Sequence, residues 1–328
     1  MKTTDRRSFL QAGLGGLAGA ASVPLLGGLA GCQQLPAAQP SGRTAASGTV
    51  HPRGTALPSE TLGERVRVIS GAPGNVIALS SSDGVLLVDS GSAELASSVR
   101  TSLADAKVHI LFNTHYHAEQ TGGNALFGKE GAAIHAHVIT RQWLSADYYV
   151  PAEDRWVKAL PEIARPTVTF RQKGEMKMGQ ESIEYGYLLE AHTRGDIYVF
   201  FRDSNVLAVG DVASPLRDPA LDWYAGGWLG GRVDAMNDLL ALANEETKIV
   251  PAYGQVMTRA ALQAEYDMMR HLYDRTADLT DHGRSAQDML EAHVLDEVSR
   301  KFQDPYRFLY DVSKGLWAHY TNFGGNIV

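Results

Sequence analysis

The sequence predicts an α/β fold, and three observations carry that expectation. Apolar runs of strand length, at residues 84–88, 108–112, 197–201 and 206–209, recur between segments with helical character at 94–106, 138–145 and 233–244. Several of these runs deliver a residue able to do chemistry: Asp89, His115, His192 and Asp211 each stand at or just past a strand candidate. Function collects at such strand ends on α/β sheets. The 328 residues, 44% hydrophobic and 20% charged, suffice for one large domain or two small ones of ordinary globular composition. A net charge of −7, with no long basic run, gives no electrostatic reason to expect nucleic acid as a partner.

Residues 1–32 read as a targeting segment. Arg6 and Arg7 stand directly before a weakly apolar, Gly-rich stretch, which resembles a Tat export signal. Leu29-Ala30-Gly31-Cys32 resembles a lipobox. Cys32 is the single cysteine, so an internal disulfide is excluded. The expectation is a lipoprotein anchored to a membrane through Cys32 and facing the periplasm. Gln33, where an inner-membrane retention signal would have Asp, points to the outer membrane. Residues 33–58, rich in Gln, Pro, Ala, Ser, Gly and Thr, read as a flexible tether.

The folded domain is expected over 59–257, with a helical extension over 258–328 packed on it. Residues 65–69 alternate like a strand with one buried face, and 75–79 and 84–88 follow, closed by the turn chemistry of Asp89-Ser90-Gly91. A helix over 94–106 leads to the strand 108–112. Residues 124–129 suit a helix, 132–136 a strand and 138–145 a helix. Short strands are expected at 167–170, 175–178 and 182–189, then at 197–201 and 206–209. A helix over 233–244 and a strand at 248–250 complete the domain. Past Thr258, the spacing of Leu262, Tyr266, Met269 and Leu272 predicts an amphipathic helix.

The stretch that organises the chain is Asn113-Thr114-His115-Tyr116-His117-Ala118-Glu119-Gln120-Thr121-Gly122-Gly123. In an extended segment, side chains at i and i+2 point to one side, so His115 and His117 can aim at one point. Two neutral imidazoles there suit a borderline metal such as zinc. The Gly122-Gly123 pair is expected to turn the backbone sharply. A second pair, His135 and His137, lacks a following Gly turn or acidic partner and reads as structural.

With His115-x-His117, then His192, then Gly210-Asp211, then Pro251-Ala252-Tyr253-Gly254, the chain resembles the metallo-β-lactamase-fold superfamily over about residues 60–255. The resemblance implies a four-layer αββα sandwich with metal at one edge, here followed by extra C-terminal helices. It implies metal ligation by His115, His117 and His192, with Asp211 in the place of the bridging aspartate. It places Asp89 behind the metal loop as an orienting carboxylate. The family pattern H-x-H-x-D-H is altered: Glu119 and Gln120 stand in place of Asp and the last His, and Tyr253 in place of a late His. An amide is a poor zinc ligand, which leaves Gln120 beside the metal, and a phenol of pKa about 10 resists ionisation. One well-held metal follows.

The function these residues suggest is a mononuclear zinc hydrolase acting on a small molecule with an ester, thioester, amide or lactam bond. Asp211 would orient water, Glu119 would act as general base and Tyr253 would donate to a developing oxyanion. The glycine-rich loop with Trp223, Tyr224 and Trp228 is expected to line the substrate pocket. One alternative keeps a second metal, or iron, with Glu119 and Tyr253 as ligands. Another keeps the fold without catalysis, as a periplasmic protein that binds a protein partner through Tyr306, Phe308, Tyr310, Trp317 and Tyr320.

Overall fold

Four antiparallel strands open the first sheet: β1 (Ser59–Thr61), β2 (Val66–Ile69), β3 (Val76–Ser81) and β4 (Gly84–Val88). Helix α1 (Ala96–Ser102) returns the chain so that β5 (Val108–Phe112) lies parallel to β4. Helices α2 (Ala118–Thr121) and α3 (Asn124–Lys129) lead to β6 (Ala133–His137), parallel to β5. After α4 (Val138–Ser145) comes a hairpin of β7 (Tyr148–Val150) and β8 (Arg155–Val157). Strand β9 (Val168–Phe170) then joins β6, giving the order β1-β2-β3-β4-β5-β6-β9. The second sheet runs antiparallel through β10 (Gly174–Met178), β11 (Glu181–Tyr187), β12 (Ile197–Phe201) and β13 (Val206–Gly210). Helix α5 (Leu229–Leu242) crosses over to β14 (Lys248–Pro251), parallel to β13. Helices α6 (Arg259–Asp281), α7 (Ala286–Glu291) and α8 (Pro305–Asn322) follow. The structure, a computed structural model, describes residues 53–104 and 106–322. The export segment 1–32 with Cys32, and most of the tether 33–58, lie outside the described residues. No helix among the described residues is long and apolar enough to cross a membrane.

The layers follow from which residues each strand buries. In β12, the five residues Ile197–Phe201 are all buried, because both faces are covered. Ile197, Val199 and Phe201 meet Val68, Leu79, Leu86 and Phe112 of the first sheet, and this is the core between the sheets. Tyr198 and Phe200 point the other way, onto Val233, Met236, Leu262, Leu309 and Leu316 of the outer helices. On the far side of the first sheet, Val85, Leu87 and Leu111 pack against Val99 before the end of α1 and Phe127 of α3. The result is helices, sheet, sheet, helices: the four-layer αββα sandwich. Each fully buried aliphatic or aromatic side chain contributes about 1.5–3 kcal/mol to holding it.

Strand 108–112 and helices 124–129 and 138–145 fall where the sequence predicts. Helix α5 starts four residues earlier than expected, at Leu229, because Leu229 is buried in the core while Gly230 and Gly231, weak helix formers, hide the start. The β7–β8 hairpin was not foreseen; strands of three residues are too short to alternate visibly. Gly122 and Gly123 do not make a sharp turn. Both have ordinary right-handed backbone angles. They serve close approach instead: a Cβ on Gly122 would lie 2.3 Å from the Ala93 nitrogen, and one on Gly123 2.4 Å from the Ser90 oxygen.

Candidate metal centre

The end of β5 is fixed from behind. Asp89, at the end of β4, accepts from the Thr114 backbone N–H on Oδ1 and from Thr114 Oγ1 on Oδ2, both at 2.8 Å. Burial pushes the Asp89 carboxyl up to about 7, against the two Thr114 donors. The Thr114 hydroxyl proton is thereby used, so its oxygen accepts from His115 Nδ1 at 3.0 Å. His192, in the loop after β11, donates from Nδ1 to the Ala220 carbonyl at 2.8 Å. His117 donates from Nε2 to Asp222 Oδ2 at 2.5 Å, and Tyr116 donates to the same oxygen at 2.6 Å.

Each imidazole thus carries its proton on the side away from the centre. The three inner nitrogens are left with lone pairs, and they converge. His115 Nε2 lies 3.1 Å from His117 Nδ1, and His192 Nε2 lies 3.3 Å from that same atom. Asp211, past the end of β13, brings Oδ2 to 3.6 Å from His192 Nε2. One ligand atom from each of His115, His117, His192 and Asp211 falls within 4.8 Å of the others, all in buried side chains. Burial, with its imidazole neighbours, holds His115 well below its ordinary pKa, and burial takes His192 down to about 4. Both imidazoles are neutral at physiological pH. Burial alone would raise Asp211, but Arg217, His192 and His115 outweigh it and hold the carboxylate below its usual range. Its Oδ1 is buried without a hydrogen-bond partner among the described residues. Lone pairs cannot bond one another, so this donor set calls for a cation, and three imidazoles with a carboxylate fit a borderline metal.

The neighbouring positions hold an amide, a phenol and a guanidinium in a different arrangement. The Gln120 amide donates to the Tyr253 hydroxyl at 3.4 Å. Burial pushes the Tyr253 phenol up to about 12, partly opposed by Arg217, so it keeps its proton. The guanidinium of Arg217 lies 3.4 Å over the Tyr253 ring and donates to Asp211 Oδ2 at 2.5 Å.

Residues 69–253, more than half of the chain, match the metallo-beta-lactamase superfamily. The chain belongs to this superfamily. Its fold is shared with a stereoselective inverting sec-alkylsulfatase from Pseudomonas sp., at TM-score 0.57 and 16% identity, covering 82% of this chain and 50% of that one. The chain therefore spans half the length of that sulfatase. A metallo-beta-lactamase from Pontibacter korlensis matches at TM-score 0.52 and 17% identity, covering 65% of this chain and 99% of that one. The DIM-1 metallo-beta-lactamase matches at TM-score 0.53 and 16% identity, over 66% and 97% of the two chains. None of the curated proteins matches the chain in sequence.

In this superfamily member, His115, His117, His192 and Asp211 are brought together, with Asp89 behind them and Gln120 and Tyr253 beside them. Glu119 is not in the ligand group; it lies on the wall of an adjoining cavity of about 420 Å³. That cavity is lined by Tyr116, Trp143, Leu144, Tyr148 and Leu160, among others. Tyr224 meets one of those lining residues, with its hydroxyl 3.3 Å from that of Tyr116. Trp223 and Trp228 are not on the wall. Trp223 bonds Asp311, and Trp228 stacks on His319 with centroids 3.5 Å apart. The loop's glycines and aromatics suggest a pocket lining, but two of its three aromatic rings serve to dock the C-terminal helices. The second histidine pair is structural, with His137 stacked on Tyr187 at 4.0 Å and His135 against Phe112. Sequence reasoning missed Asp222 as the partner of His117, although the loop was singled out, and missed Arg217 altogether.

Proposed function

We propose that the chain is a hydrolase working with one metal ion, zinc by its donor set, on a small molecule with an apolar substituent beside an ester, thioester, amide or lactam bond. The observation that carries this is the convergence of three inward lone pairs from His115, His117 and His192, each locked by an acceptor on its far side. Those residues would hold the metal. When bound, it supplies the Lewis acidity that makes water nucleophilic near neutral pH. Asp211, ionised and with Oδ1 unpartnered among the described residues, accepts a hydrogen bond from that water and orients it. Glu119, on the cavity wall, takes a proton. Tyr253 keeps its proton and donates to developing negative charge. The aromatic wall of Tyr116, Trp143 and Tyr148 receives the apolar part of the substrate.

We also propose that the protein is exported through its twin-arginine segment and anchored by lipid on Cys32, so that it works at a periplasmic membrane surface. The binding-protein alternative has less support: Phe308 is buried in the core, although Tyr306 and Trp317 are partly exposed.

The test is metal content by mass spectrometry on protein purified without chelator, followed by a panel of esters, thioesters, lactams and, after the sulfatase neighbour, a secondary alkyl sulfate. One zinc per chain with metal-dependent turnover is expected. Protein that folds without metal and turns over none of the panel would sink the hydrolase reading.

A further inference from the structure

We propose that the Arg217 guanidinium takes the place of a second metal cation in this site, and that it is the residue that keeps the chain to one metal. The inference rests on the one-metal reading above and names its cause. Arg217 meets Asp211 Oδ2 at 2.5 Å and covers the Tyr253 ring at 3.4 Å. Tyr253 in turn accepts from Gln120. The three side chains that flank Asp211 on this side therefore form one connected set around a fixed positive charge. A metal ion placed against Asp211 from this side would meet that charge at contact distance, where like charges repel strongly.

The position of Arg217 is built rather than incidental. Ser214 N–H donates to Glu265 of α6 at 2.8 Å, and Ser214 Oγ accepts from the buried Arg232 of α5 at 2.8 Å. Arg300 donates to the carbonyls of both Ser214 and Arg217. Asp218 accepts from the backbone N–H groups of Gln303 and Asp304 at 2.8 and 2.9 Å. The loop is thus tied on both sides of Arg217, and its side chain is only 27% exposed. A guanidinium delivered this way holds Asp211 in place, as a bridging cation would, without needing ligands of its own. Arg217 is a positioning residue, acting through Asp211.

The experiment counts zinc per chain, in the full chain, for four proteins, with circular dichroism to check folding. Wild type is expected to hold one. Gln120→His with Tyr253→His restores imidazoles on this side but keeps Arg217, and is expected still to hold one. Adding Arg217→Ala to that pair is expected to give two. Arg217→Ala alone is expected to bind a second zinc at least about tenfold more tightly than wild type does, and decides the matter if the triple variant does not fold. Two zinc ions in the wild type or in the double variant would overturn the proposal, as would one in a folded triple variant or an unchanged second affinity in Arg217→Ala. A folded wild type that binds no metal overturns the one-metal reading and this inference together; two in the double variant overturns this inference alone.

Discussion

The two sides of Asp211 answer the same problem differently. On one side, His115, His117 and His192 have their outer nitrogens held by Thr114, Asp222 and Ala220, so that everything unsatisfied points inward. On the other, Gln120 bonds Tyr253, and Arg217 lies over the Tyr253 ring and bonds Asp211 Oδ2, while Gln120 Oε1 and Asp211 Oδ1 stay unpartnered among the described residues. One half is left incomplete and fits a metal. The other is closed by the chain's own cation. What separates them is less the ligand atoms than where each group's second partner lies, outside the centre or across it.

That contrast can be broken most sharply at His117. His117→Ala is expected to abolish metal binding and turnover together, read by metal content and by hydrolysis of the best substrate. On the closed side, Tyr253→Phe keeps the ring under Arg217 and removes only the hydroxyl, with its proton to donate and its bond from Gln120. It should leave metal content unchanged and lower kcat by about a hundredfold, with KM little altered. A loss of metal in Tyr253→Phe would mean that the two sides are not separate. Asp222→Asn should weaken metal affinity about 10–100-fold through His117, measured by competition with a chelator. The smallest effect concerns the support of that carboxylate's loop. Burial raises Asp311 to about 6, partly opposed by Arg307, and Asp311 bonds Trp223 beside Asp222. A raised folded-state pKa means that the protonated form stabilises the fold fully below about pH 4, and that this contribution is lost as pH rises through about 6. Asp311→Asn should therefore gain on wild type by on the order of 2 kcal/mol between about pH 4 and pH 7 in urea unfolding. Parallel stability curves for the two proteins would contradict it.

The open side was legible in the sequence because its residues are placed by regular structure. His115 and His117 follow a strand whose apolar run is unmistakable, and Asp89 and Asp211 end two others. The two-sheet sandwich was legible through resemblance, and the strands through alternation. The closed side was only half legible. Gln120 and Tyr253 show by their chemistry that the usual ligands are gone, yet nothing local distinguishes Arg217 from any other loop arginine. Its place is decided by Glu265, Arg300 and Asp218, contacts between segments from 51 to 86 residues apart in sequence. Asp222 was hidden for the same reason: its loop has no period, and its partner His117 lies 105 residues away.

The segment leading into α8 grips the loop carrying Arg217 through Arg300, Gln303 and Asp304. Undocking that segment would leave the sandwich intact while freeing the carbonyls of Ser214 and Arg217. The working arrangement of the site is then a separate cooperative unit, whose opening free energy can lie well below that of global unfolding. In amide hydrogen exchange, the loop from Ser214 to Asp222 and the residues before α8 should open together, and earlier than the strands that carry the histidines.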